Sequence, residues 1–402
     1  MTIAGHQVDD AMFFYIASNI DADTYKLLLK DEPGLSFDKS FAIQQIECRR
    51  RVRNKIPELI AHEHFIFGRA ISAEQCTHEI VARFHASLFD TNDRVLDMTM
   101  GLGVDDYYIS KHVKSLTSIE IDPIIAEAGK HNFGFLAPNI EVIQSDSAEY
   151  LIQLGNEEVF DAIFIDPARR GESGNRLYNL ADCQPNVLEL LPLISQHASR
   201  LYIKASPMLD VTQSMRDLGE SLTDVWVVSI KNECKELFFK LEFVKKNDTI
   251  TLHALNYNGK WEEFVTTPYP SSSLNGYAIP QQGDFLYEPN ASIMKLGCYH
   301  ALSQQTRTTP IAKNSHLFTN KELVTSFPGR KFVVKEIIPF KAKEIKRLTA
   351  QHKQFNIATR NFRLTANELK KRLRMQDGGD KYLFATTLAN AEQVLILCEK
   401  AD

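Results

Sequence analysis

Up to about residue 88, apolar positions recur at helical spacing, as in Ala42-Ile43-Ile46 and Ile80-Val81-Phe84, punctuated by Pro33-Gly34 and Pro57. This pattern predicts a helical N-terminal domain over residues 1–88. From Arg94 the text changes to short apolar runs separated by helical stretches: Val95-Leu96, Leu116 to Ile121, Ile140 to Ile143, Phe160 to Ile165, Leu201 to Ala205 and Val225 to Ile230. Strands that alternate with helices predict βαβ units, an α/β class and a parallel sheet. The run Leu237 to Val244 follows the last of these after only Lys231-Asn232-Glu233-Cys234-Lys235-Glu236. So short a polar connection cannot hold a crossover helix, which makes the final strand antiparallel to its predecessor.

After Lys246 the pattern changes again. Thr249 to Leu255 and Trp261 to Val265 read as strands around the turn Asn256-Tyr257-Asn258-Gly259, and Pro268-Tyr269-Pro270-Ser271-Ser272-Ser273 reads as a loop or linker. The remainder mixes short strands, Lys331 to Ile338 and Lys381 to Thr386, with two basic helical stretches, Lys341 to His352 and Ala366 to Arg374. The expected organisation is a helical domain (1–88), an α/β core (89–246), a small β-rich or α+β domain (247–325) and a basic α+β domain (326–402). No internal repeat interrupts it.

Length and composition fit several packed cores: 402 residues, 44% hydrophobic and 24% charged. No apolar run approaches the roughly 18 residues of a membrane span, and the early acids lack the basic flank of a signal peptide, so a cytoplasmic protein away from membranes is expected. The six cysteines form no CxxC and predict free thiols. His62-Glu63-His64 lacks a third ligand by spacing and is expected to be a solvated loop rather than a metal site. His78 and His85, seven apart, are expected to share a helix face as core or surface histidines.

Charge changes the picture more. The chain totals −5, yet Lys321 to Arg374 holds fifteen Lys or Arg against four Glu and no Asp, a local +11 that leaves −16 elsewhere. Such asymmetry predicts a polyanionic partner for the basic region 321–374. A second basic cluster is Arg49-Arg50-Arg51-Val52-Arg53-Asn54-Lys55.

The sharpest chemical signal is Val95-Leu96-Asp97-Met98-Thr99-Met100-Gly101-Leu102-Gly103, a strand that ends in an acid and a Gly-x-Gly turn before a helix. Glycines suit a tight turn whose backbone approaches a ligand. A third glycine of the nicotinamide-dinucleotide pattern is missing, because position 106 is Asp, and Asp105-Asp106 would repel a pyrophosphate. A nucleoside without phosphates fits better. Glu120, at the end of the next strand, can accept both ribose hydroxyls, while Asp122 before Pro123 reads as a helix N-cap. Asp146, in Gln144-Ser145-Asp146-Ser147, can accept adenine amino hydrogens or simply form a turn. The fourth strand delivers Asp166-Pro167-Ala168-Arg169 to the same carboxyl edge. Acids at the ends of four successive strands are more specific than any one alone.

These residues make the chain similar to class I S-adenosylmethionine-dependent methyltransferases, from about Ala73 to Val244. The resemblance implies a Rossmann-like core with an antiparallel last strand. It also implies a cofactor site of Thr77, Asp97, Gly101, Gly103, Glu120, Asp146, Ser147 and Asp166, and an acceptor site of Asp166, Pro167 and Arg169. In it Thr77, within Glu74-Gln75-Cys76-Thr77-His78-Glu79-Ile80-Val81, corresponds to the Thr that opens a helix near the cofactor carboxylate; a plain N-cap role fits Thr77 too. The module order resembles bacterial RNA methyltransferases with a C-terminal THUMP-like domain, whose tails read much as Phe332 to Phe340, Ile357 to Phe362 and Asp377 to Thr387 do here. RNA is therefore the partner the resemblance implies.

Asp-Pro-Ala-Arg also occurs in RNA uracil-5 methyltransferases, which need a cysteine nucleophile on the following strand. Here that segment is Lys204-Ala205-Ser206-Pro207, so nitrogen is expected as the methyl acceptor over pyrimidine C5. Arg169 takes the place of the usual base-stacking aromatic, and a guanidinium can stack as well. Asn232 to Glu236 reads as a solvated hairpin tip or a base-contacting loop. The rival expectations are methylation of a protein or small molecule, and a non-catalytic RNA-binding protein that keeps the cofactor motifs.

Overall fold

The computed structural model describes residues 2–3, 5–155, 160–169, 179–244, 249–268 and 276–401, with the Arg169 side chain left out. Positions 269–273 of the expected linker lie outside the described residues. The chain divides into two units, Met1–Thr223 with Phe238–Asp248, and Asp224–Leu237 with Thr249–Asp402.

After a short antiparallel pairing of Thr2–Ile3 with His6–Gln7, the first unit continues with six helices: α1 (Asp10–Ser18), α2 (Thr24–Leu29), α3 (Lys39–Val52), α4 (Pro57–Ile60), α5 (Ala70–Gln75) and α6 (Glu79–Ala86). Asp9, Asp23 and Asp38 start the first three by accepting N–H bonds at each helix N-terminus. Met12, Phe13 and Ile16 of α1 meet Phe41, Ala42, Ile43 and Ile46 of α3 in one apolar cluster. The basic cluster at residues 49–55 is mostly internal wiring. Arg49 is buried, and its guanidinium donates to the carbonyls of Ile60 (2.8 Å), His62 (3.1 Å), Glu63 (2.7 Å) and Phe65 (2.8 Å). Burial pulls its pKa down to about 10. Arg50 donates to the carbonyls of Asn19, Ile20 and Ala22, Arg51 pairs with Glu74, and Arg53 pairs with Asp21.

The α/β part follows: β1 (Arg94–Asp97), α7 (Val104–Ser110), β2 (Ser115–Glu120), α8 (Pro123–Leu136), β3 (Ile140–Gln144), α9 (Ser147–Gln153), β4 (Phe160–Ile165), α10 (Val187–His197), β5 (Ala198–Ala205) and α11 (Val211–Leu218). Parallel pairing places β1 between β2 and β4, with Val95 opposite Leu116 and Leu96 opposite Ile163; β3 lies beyond β2 and β5 beyond β4. The order reverses at β1, so the crevice above the carboxyl ends of β1 and β4 is the switch point where such sheets bind ligands.

Then come β6 (Leu222–Ile230) and β7 (Glu233–Glu242), with β7 beside β5 in the sheet. The expected six-residue connection is in fact a two-residue turn. Lys231 and Asn232 both have positive φ, 49° and 63°, as the tightest antiparallel hairpin requires, and Glu233 to Glu236 belong to β7. Antiparallel pairing of this last strand agrees with expectation. At the tip Asn232 accepts from the Ala291 N–H (2.7 Å).

In the second unit β8 (Thr251–Tyr257) runs parallel to β6, and β9 (Trp261–Thr266) antiparallel to β8. Its other elements are β10 (Phe285–Pro289), α12 (Ala291–Leu296), α13 (Tyr299–Thr306), β11 (Phe318–Asn320), β12 (Gly329–Pro339), α14 (Ala342–Gln351), β13 (Asn356–Arg360), α15 (Ala366–Leu373), β14 (Lys381–Thr387) and β15 (Gln393–Lys400). They form a sheet of order β11-β10-β12-β15-β14-β13, extended at β11 by Thr309–Pro310. Alternation divides its core in two. Leu383, Ala385, Leu395 and Leu397 pack with Leu348 of α14 and Leu369 and Leu373 of α15, while Phe384, Ile396 and Cys398 pack with Leu286 and Phe332.

Arg49→Met should lower the stability of the first unit by roughly 2–4 kcal/mol, because it leaves four carbonyls without their donor. Urea denaturation followed by far-UV circular dichroism checks this.

Candidate active site

Every strand end that the sequence marks with an acid lies at the carboxyl edge of the parallel sheet. Asp97 is the last residue of β1 and is buried; its Oδ1 accepts from the Thr99 N–H (2.7 Å) and hydroxyl (3.4 Å). The same hydroxyl accepts from the Asp166 N–H (2.7 Å), so Thr99 joins the ends of β1 and β4. Gly101 and Gly103 have φ of 58° and 75°, in the left-handed region. A Cβ on Gly103 would lie 2.3 Å from Phe133 Cζ, so that position needs glycine for both backbone and space.

Glu120 ends β2 with its carboxylate folded back onto the turn. Oε2 accepts from the Gly101 N–H (2.9 Å) and Oε1 from the Asp122 N–H (2.8 Å). Burial raises its pKa against the pull of those two donors. Asp122 caps α8 as expected, through the N–H groups of Ile124 and Ile125. Asp146 caps α9 through the N–H groups of Ala148 (2.8 Å) and Glu149 (3.1 Å), both on Oδ1, and Ser147 is the first residue of that helix.

Two features went unread in the sequence. Lys204, the penultimate residue of β5, is 12% exposed at its side chain and pairs with Asp166 Oδ2. Its Nζ also donates to Thr77 Oγ1 (2.8 Å) and lies 3.7 Å from Asp105. A lysine that follows the apolar run Leu201-Tyr202-Ile203 is the signal that could have flagged it. Asp105, read as a charge at a helix start, is instead held by Thr77, by Lys204 and by His85 Nδ1 (2.8 Å). Burial would raise its pKa, yet Lys204, His85 and Thr77 hold it well below the usual carboxylate range.

Thr77 is therefore a member of this network, and His78 is the residue that caps α6, through the Ile80 N–H (3.2 Å). His78 and His85 consequently do not share a helix face. His85 is fully buried and stacks on Phe238 at 4.3 Å between centroids. Next to Asp105, Asp106 is also fully buried, with Oδ1 taking the Ser118 hydroxyl. Burial first, then the charge of Asp105, pushes its pKa up to about 7, and Asp97 is raised by burial and by the charge of Asp106. Pro167 is buried beside Asp166; the Arg169 side chain lies outside the described residues. Among the described residues no cluster of His, Cys, Asp or Glu could hold a metal, and no helix is long and apolar enough to cross a membrane.

In the second unit the basic stretch is partly neutralised. Buried Glu288 takes both Arg330 and Arg360 (2.8 Å), Arg347 pairs with Glu336 and Glu344, Lys335 with Glu399, and Lys370 with Asp377. Arg360 is thus held by an internal ion pair. Arg363 and Arg372 lie over the Phe340 ring, at 5.4 and 5.2 Å, and Phe340 packs edge-on against Phe362. Lys343 and Lys346 stand exposed on α14, Lys371 and Arg372 on α15, and Arg374 just beyond it.

Comparison with known proteins agrees with this geometry. Residues 329–400 match a family described as THUMP domain-like, and 285–328 one described as a ferredoxin-like domain. A crystal structure from Porphyromonas gingivalis W83, provisionally named a methyltransferase, superposes with a TM-score of 0.85 at 28% identity over 98% of each chain. An uncharacterised RNA methyltransferase of Mycoplasma mobile is 33% identical over 21% of this chain, and a 23S rRNA (uracil(1939)-C(5))-methyltransferase of Photobacterium profundum 27% identical over 40%. The chain spans only 23% and 34% of the lengths of those two relatives. The chain has a class I S-adenosylmethionine-dependent methyltransferase fold with a C-terminal THUMP-like domain, and S-adenosylmethionine is the cofactor that such a fold binds.

Gly103→Ala should cost about 1–3 kcal/mol from its left-handed φ and the clash with Phe133. It should weaken cofactor binding as well, and thermal unfolding with and without S-adenosylhomocysteine reads both effects.

Proposed function

We propose that the protein transfers a methyl group from S-adenosylmethionine to a base of RNA, at nitrogen rather than at pyrimidine C5. The observation that carries this reading is the set of carboxylates around one crevice: Asp97, Glu120 and Asp146 at the ends of β1, β2 and β3, with Asp166 just past β4. The cofactor presents hydrogen-bond donors at its ammonium, its ribose and its adenine amine, and no phosphate. An acceptor-rich crevice suits it and would reject a dinucleotide. Gly101 adds to the fit, since among the described residues, its chain neighbours apart, the Thr99 carbonyl oxygen at 3.9 Å is the atom found within 4 Å of the place a Cβ would occupy.

When bound, the cofactor supplies a methyl group activated by its sulfonium. The chain supplies position. Glu120 takes the ribose hydroxyls, Asp146 and the start of α9 at Ser147 take the adenine, and Asp97, Gly101 and Gly103 line the methionine end. Thr77 serves this site through Lys204. Lys204 on Oδ2 of Asp166 leaves Oδ1 to receive the N–H of the acceptor base, together with the Pro167 carbonyl. Arg169 is assigned to the base or its phosphate. Two observations favour nitrogen over C5. Ala205 ends β5 where a nucleophilic sulfur would be needed, and burial raises the pKa of Cys76, the thiol beside Lys204 and Asp105, which is the wrong direction for a nucleophile. The exposed cations of α14 and α15 are assigned to the RNA backbone.

Incubation with methyl-labelled cofactor and total RNA from cells that lack the gene, followed by nucleoside mass spectrometry, tests the reading. Label in protein but not in RNA would refute the substrate class. Glu120→Ala should weaken cofactor binding at least about tenfold, since it removes charge-assisted hydrogen bonds. Asp166→Ala should reduce transfer by about a hundredfold or more with cofactor affinity nearly unchanged. For RNA, Lys343→Ala with Lys346→Ala should flatten the dependence of log affinity on log salt by about 0.7 per lost single-strand phosphate contact. Fluorescence anisotropy at several salt concentrations measures that slope.

A further inference from the structure

Asp97 and Asp106 face each other with an incomplete set of donors. Both are buried, at 1% and 0% exposure. Asp97 Oδ1 is served by Thr99, and Asp106 Oδ1 by Ser118. Among the described residues Asp106 Oδ2 has no hydrogen-bond partner. In the β1–β2 pairing Asp97 lies opposite Ser118, whose hydroxyl sits on Asp106, so the two carboxyl groups are neighbours, and the charge of Asp106 raises the cost of ionising Asp97. Two ionised carboxylates bring only acceptors to such a contact, so it repels; a single proton between them turns it into an O–H···O bond and satisfies the orphaned oxygen. The surrounding groups do not replace that proton. Ser118 on β2 is neutral, Asp105 adds a further negative charge, and Lys204 and His85 are committed to Asp105, with Lys204 also on Asp166.

We propose that Asp97 and Asp106 share one proton in the ligand-free protein, and that the cationic methionine end of the cofactor displaces it to solvent. The inference rests on the cofactor reading above, which assigns Asp97 to that end of the ligand. An incoming ammonium stabilises the second carboxylate that burial otherwise forbids, so binding and deprotonation favour each other. The pair then acts as a charge filter. A ligand with the α-amino group releases the proton, and an adenosine derivative without it leaves the proton in place.

Titration calorimetry of the full chain with S-adenosylhomocysteine, in buffers of different ionisation enthalpy at roughly pH 6 and pH 8, counts the protons released. Release of about one proton per ligand is expected at the acid side, with affinity rising up to about tenfold per pH unit until the pair is ionised. 5′-Methylthioadenosine, which lacks the amino acid, should bind without release. Asp106→Asn should bind S-adenosylhomocysteine with no proton release and little pH dependence. Ser118→Ala, which removes the donor that favours ionised Asp106, should move release to higher pH and serves if the first variant fails to fold. Binding of S-adenosylhomocysteine by the unmodified protein with heats independent of buffer would overturn the shared proton and leave the cofactor reading intact. Absence of binding at every pH would overturn that reading, and the shared proton with it.

Discussion

One ammonium group organises the crevice. Lys204 reaches Asp166 after β4, Asp105 in the first turn of α7 and Thr77 ahead of α6, three segments that share no hydrogen-bonded strand pair. Buried charges persist only when paired, and here one cation is shared by two carboxylates and a hydroxyl. The arrangement therefore fixes where β4 and β5 end relative to the loop before α6. His85 completes it on the other side of Asp105, itself locked by stacking on Phe238 of β7. The network thus gathers residues from α6, α7, β5 and β7 and from the segments before α6 and after β4, and Asp166 stands at its outer end.

The sequence made the α/β framework legible because parallel strands buried on both faces appear as apolar runs; Ala162 to Ile165 is one, and the stretch read from Phe160 to Ile165 agrees with β4. Acid positions at strand ends and the Asp122-Pro123 start of α8 were also readable, since each is a local rule of backbone chemistry. What stayed hidden depends on partners far away in the chain. Arg49 looks like surface charge until the carbonyls of residues 60–65 close over it, and Lys204 looks like the flank of a missing cysteine until Thr77 and Asp105 arrive. The first residues of β7 failed for another reason: Glu233, Lys235 and Glu236 are polar by composition, and only the positive φ of Lys231 and Asn232 shows that the turn is already over.

The basic tail carries a similar lesson about counting. Glu288 lies outside the stretch from Lys321 to Arg374, yet from inside the protein it pairs with two of its arginines and offsets one of their charges, and Glu399 and Asp377 each offset a lysine. The charge a polyanion would meet is smaller than the formal excess. It is also more localised, on α14 and α15 and around the Phe340 and Phe362 rings.

The split of the β6–β7 hairpin between the two units sets an order of assembly. All five parallel strands of the first unit have left the ribosome by Ala205, but β5 gains its outer neighbour only when Phe238 and the residues after it emerge. Until then the growing chain shows an unpaired strand edge, open to pairing with another chain. A nascent protein stalled between those points is the species that a chaperone would need to shield.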